Sequence, residues 1–197
     1  MHHIRRDLLC FYSKYFDAAL NGPFEVTFDA DHIFTLEDTN DHVLSAFATW
    51  TTTGRLYLNP ESSQYSFLDD RFLVKLYILA DKIDCLALRR MIMTILVAKE
   101  KLPAYSVIEL AVTNLPTSSP LMALFALRRG TLTGRRWFPE HYEAMREALV
   151  SFMRKVTFEY YEWSPGIGHC VFHEHASRAE FRASKCNHKP FVSCDSF

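Results

Sequence analysis

The chain has 197 residues, 49% of them apolar and 23% charged, proportions of a soluble globular protein that exclude wholesale disorder and a large multi-domain machine. Lys and Arg total 22 against 23 Asp and Glu, so a net charge of −1 excludes a global basic field drawing the chain to nucleic acid or an anionic membrane. The five cysteines, Cys10, Cys85, Cys170, Cys186 and Cys194, are odd in number. That argues against a fully paired secreted framework and for a reducing compartment, cytoplasmic or nuclear.

Only 6 glycines occur, and none makes a phosphate-cradling loop of the G-x-G-x-x-G or G-x-x-x-x-G-K-[ST] type, which argues against the nucleotide-binding folds. Aromatics reach 14%, suited either to filling a small helical core or to an interface. The N-terminus lacks a signal-peptide run because Asp7 and Lys14 interrupt it, and the uncharged stretch from Leu110 to Leu127 contains Pro116 and Pro120. No membrane span is expected.

In chain order, Leu8, Leu9, Tyr12, Tyr15, Phe16, Ala19 and Leu20 repeat at helical spacing, with a break near Ser13 and a stop at Asn21-Gly22-Pro23. Val26/Phe28, Ile33 to Leu36 and Arg55 to Leu58 read as short strands. Between them Asn40 or Asp41 caps a helix carrying Val43, Leu44, Phe47 and Trp50, with Gly54 as its stop. Phe72, Leu76, Leu79, Ala80 and Ile83 mark the next helix, and Asp84 caps another with Leu88, Met91, Ile92, Ile95 and Leu96 inward. The stripes predict a layered core of Leu8, Tyr12, Phe16, Phe47, Leu76, Leu79, Leu88 and Ile92. Pro103 ends this region. Helices are then expected at Val107 to Leu115, at Pro120 to Arg128, and over Glu140 to about Trp163, whose stripe of Tyr142, Met145, Leu149, Phe152, Val156, Tyr160 and Trp163 reads as core in preference to a partner groove. After Ser164 the chain becomes a tail without helical periodicity.

Three blocks, Leu8 to Gly22 (LLCFYSKYFDAALNG), Thr52 to Tyr57 (TTGRLY) and Leu73 to Arg90 (LVKLYILADKIDCLALRR), resemble the BTB/POZ domain in order and spacing, in the version abundant in filamentous fungi. The resemblance covers about Ile4 to Lys101. SSPLMALFA at Ser118 to Ala126 and CVFHEH at Cys170 to His175 look like the helical extension and Cys/His tail of the same group. It implies an α+β, predominantly helical protein in which a core of helices with a small sheet precedes that extension and tail. The implied division is 1–103 for the BTB/POZ-like domain, 104–163 for the extension and 164–197 for the tail. The family's usual first β-hairpin is expected to be missing, because few residues precede Ile4-Arg5-Arg6. Trp50-Thr51-Thr52-Thr53-Gly54 departs from the common Trp-Leu-Tyr-Thr-Gly, and Met122 replaces a basic residue. Such domains are protein-interaction modules: they self-associate, and many are adaptors between a cullin scaffold and a ubiquitin-ligation substrate.

The tail places Cys170, His173 and His175 before Cys186, with His169, His188 and Cys194 as spare ligands. Two thiolates and two imidazoles satisfy tetrahedral zinc, and on an extended segment His173 and His175 point to one side. The set reads either as one structural zinc or as a polar tail with incidental Cys and His. The H-E-x-x-H signature is absent, so a closed structural site is favoured over a catalytic one. Arg128, Arg129, Arg135 and Arg136 bracket Gly130 to Gly134 and read as a solvated loop more readily than an anion site. Cys10 and Cys85 read as buried small hydrophobes.

The sequence therefore predicts a non-catalytic scaffold or adaptor with no enzymatic site and no cofactor beyond a zinc ion. Protein partners, self-association and a cullin scaffold are expected, without nucleic acid or membrane. Phe11 and Lys14, flanking the first helix's apolar stripe, are the expected partner contacts. The rival readings are a zinc-dependent hydrolase and a transcription-associated regulator using the tail.

Overall fold

A computed structural model of the chain describes residues 3–22, 36, 39–56, 69–99, 103–133, 143–148, 150–151, 174 and 178–183. The chain divides into two compact units, Met1–Lys99 and Glu100–Phe197.

In the first unit the stretch around Ser13 is two helices, α1 (Arg6–Tyr12) and α2 (Lys14–Asn21). Ser13 separates them in an extended conformation (φ −127°, ψ 117°), and its side-chain oxygen accepts the Phe16 N–H at 3.2 Å, an N-cap that starts α2. The two helices fold back on each other. Arg6 at the start of α1 donates to the Leu20 carbonyl at 2.6 Å and to Asn21 Oδ1 at 2.9 Å, satisfying the C-terminal end of α2.

Helix α3 (Asp41–Thr53) is capped by Asn40, whose Oδ1 accepts the His42 N–H at 2.8 Å. Gly54 ends it in the left-handed region (φ 67°), a conformation that a Cβ penalises. Val43, Ala46, Phe47 and Trp50 form its buried stripe at three-four spacing. Helices α4 (Asp70–Lys82) and α5 (Leu86–Ala98) make an antiparallel pair. Lys99 just past α5 meets Asp70 at the start of α4 at 2.7 Å, each charge set against the helix dipole it complements. Leu73, Val74, Leu76, Tyr77, Ile83, Leu88, Ile92 and Met93 in and around this pair are fully buried.

In the second unit α6 (Tyr105–Asn114) contributes Val107, Ile108 and Ala111 to the interior and packs with α7 (Pro120–Thr133). Pro120 opens α7, a position where its missing N–H costs nothing. Leu121 to Ala126 are all buried, so α7 is apolar on every side at its start, as a helix inside a core must be. Residues 143–148 are helical, with Met145 and Ala148 buried. A short helix spans Arg178–Ala183.

Several expectations are corrected. The α+β class with a small sheet is overturned: the protein is predominantly helical, with no strand among the described residues. Leu36, Arg55 and Leu56 fall in expected strands yet belong to no strand. Leu56 is buried at 3% exposure, so its alternation reflects one inward side chain, whereas a strand also needs a ladder partner. The remaining residues of those three segments lie outside the described residues. Leu8 and Tyr12 are half-buried, whereas the other six of the expected core are buried. Asp84 does not cap α5; Cys85 holds that place without a side-chain bond. Of the expected arginine loop, only the part up to Thr133 is corrected, and Gly134, Arg135 and Arg136 lie outside the described residues. Helix α7 continues through Gly130 to Thr133, and Arg128 is buried at 3% because it lies one heptad after Leu121 on the same inward face. The helix at Arg178–Ala183 lies in the tail expected to lack one; six residues of Ala, Arg, Glu and Phe favour helix but are too few for a periodicity to register.

Candidate functional site

The elbow between α1 and α2 sits on the turn that joins α4 to α5. Ser13 is fully buried there, and its hydroxyl donates to the Ile83 carbonyl while accepting from Phe16. Both bonding directions of one side chain are thus used to fasten a helix start to a helix end. On the facing turn the Asp84 N–H donates to the Asp81 carbonyl at 3.1 Å and the Cys85 N–H to the Ala80 carbonyl at 2.7 Å. This paired closure requires a left-handed residue at position 84, where Asp84 has φ 46°. Asp tolerates that region better than most side chains. Its carboxylate lies 3.5 Å from Arg89 and 3.6 Å from Lys14, and Arg89 also meets Asp81 at 2.9 Å. Burial pushes the neighbouring Cys85 thiol up to about 11, outweighing a backbone hydrogen bond and the Arg89 charge.

Above this joint α1 presents Leu8-Leu9-Cys10-Phe11-Tyr12, and none of its residues is fully buried. Phe11 is 78% exposed and Tyr15, on α2, 48%. Each ring touches the ring of the next residue in sequence. Phe11 stands edge-on to Tyr12 at 4.9 Å, Tyr12 touches Trp50 at 4.7 Å, and Trp50 stacks on Phe47 at 6.3 Å, so the exposed ring is backed by a chain of aromatics reaching the core. Tyr15 stands edge-on to buried Phe16 at 5.2 Å. At the start of α1, Arg5 is paired to Asp7 at 3.0 Å, and this hydrogen bond holds the Asp7 carboxyl below the usual carboxylate range.

The two expected partner contacts are therefore adjacent at the elbow. Phe11 is open to solvent, and Lys14, at the start of α2, keeps its side chain 81% exposed while leaning toward Asp84. Tyr15 was missed. Read as one continuous helix, it shares a face with Tyr12 and Phe16 and belongs inside; the extended backbone at Ser13 resets the helical phase and turns it outward. The signal was the serine that interrupts the repeat, followed three residues later by Phe16.

Cys170, His173, His175 and Cys186 lie outside the described residues, as do the spare ligands His169, His188 and Cys194. Between the two histidines Glu174 has φ 48°, so the backbone is left-handed there, and the extended alternation expected to align His173 with His175 does not hold at this residue. No group of three or more His, Cys, Asp or Glu able to hold a metal occurs among the described residues. Cys85 is buried as expected, whereas Cys10 is half-buried, its Sγ 3.9 Å from the Phe16 carbonyl. Among the described residues no helix is long and apolar enough to cross a membrane.

Comparison with family models, with curated proteins and with solved structures returned no match.

Proposed function

We propose that the chain is a non-catalytic protein-interaction module, a scaffold or adaptor whose partner contacts include Phe11, Lys14 and Tyr15. The observation that supports this reading is a seven-residue helix, α1, that carries a run of five apolar residues without burying any of them fully. Scattered exposed apolar side chains are ordinary on any surface. Here two exposed aromatics are neighbours, each rests on another ring, and the helices beneath are fastened by Ser13 to the α4–α5 turn. Exposed aromatics carry a large apolar area at low side-chain entropy, which suits an interface anchor. The resemblance of Leu8 to Gly22 and Leu73 to Arg90 to BTB/POZ sequences adds the proposal that a cullin scaffold is among the partners.

The test is binding of the purified full chain to a cullin N-terminal domain, alongside quantitative affinity capture from the source cells, for wild type and Phe11→Asp. Wild type is expected to bind the cullin, and the variant to weaken binding tenfold or more while keeping the wild-type melting temperature. Failure to bind the cullin, together with identical captured proteins for both chains, overturns the reading.

A further inference from the structure

We draw no further inference here: the strongest candidate, the exposed aromatic face of Phe11 and Tyr15 at the α1–α2 elbow, belongs to the surface already proposed for partner contact, and nothing in the structure shows what covers it.

Discussion

Ser13 carries more of the architecture than its size suggests. It starts α2, separates it from α1 and binds the end of α4, all from a fully buried hydroxyl. Ser13→Ala removes the cap and one partner of the Ile83 carbonyl, with an expected cost of about 1 to 3 kcal/mol. Urea unfolding checks this: the midpoint should fall at unchanged slope, and a loss below about 0.5 kcal/mol would contradict the assigned role. Asp84 gives the opposite expectation. Its left-handed backbone costs about 1 to 2 kcal/mol that glycine does not incur, whereas its ion pairs, with exposed Lys14 at 3.6 Å and with Arg89 at a long 3.5 Å while Arg89 keeps Asp81 at 2.9 Å, are together worth about 1 kcal/mol. Asp84→Gly is therefore expected to match or exceed wild-type stability, and Asp84→Val to fall below both, because a β-branched side chain fits that region worst.

The buried thiol of Cys85 supplies a pH dependence. Its value rises from an ordinary 9.0 to about 11 in the fold, so the folded protein holds the proton more tightly than the unfolded chain. Below pH 9.0 both states are protonated and the contribution is fully present; as pH climbs toward about 11 the unfolded chain ionises first and stability falls. The contribution lost is about 3 kcal/mol at most. Cys85→Ala should flatten the unfolding free energy over that window relative to wild type, once the alanine's packing loss, constant with pH, is subtracted. Parallel curves would rule out the burial-driven shift.

At the scale of elements, the α4–α5 pair is where apolar burial is most complete. Leu76 has no exposed surface, so Leu76→Ala is expected to cost about 2 to 5 kcal/mol through lost transfer energy and the cavity left behind. The end of α3 depends on backbone conformation instead. Nothing lies within 4 Å of a Cβ built on Gly54, so Gly54→Ala meets no clash, and its expected cost of about 1 kcal/mol comes from the left-handed φ alone. Gly54→Asn should recover part of that loss in the same denaturation series. The threonines before it, Thr51, Thr52 and Thr53, bond back to carbonyls three or four residues earlier, which keeps their hydroxyls satisfied without a tertiary partner.

At the scale of the whole molecule, the tail separates the zinc reading from its rivals. On the structural-zinc reading, Cys170, His173, His175 and Cys186 would close a tetrahedral site, and elemental analysis of the full chain would return one zinc that Cys170→Ser with Cys186→Ser removes. Zinc-free protein with titratable thiols would leave a polar tail, and a water-exchangeable fourth position would favour hydrolysis. Chelation should leave the helical signal of α1 to α7 in place, because apolar side chains supply their cores.

How much was legible in the sequence follows from the range of each interaction. Helix α3 was readable from its Asn40 cap and Gly54 stop, and α4 to α6 from their three-four stripes, such as Leu76 with Leu79 and Ala80, because these signals act within a few residues. The break at Ser13 was readable for the same reason. The half-burial of Leu8 and Tyr12 and the inward position of Arg128 were not, since each depends on which face another helix covers. A predicted strand likewise requires a partner distant in sequence, and the alternation at Arg55 and Leu56 carried no information about one. Local chemistry in the sequence by itself determined that helices form around these stripes and fixed the capped ends at Ser13, Asn40 and Gly54. Only the tertiary structure decided that the Ser13 hydroxyl would reach Ile83, 70 residues away, because that bond depends on how the α1–α2 elbow docks on the α4–α5 turn.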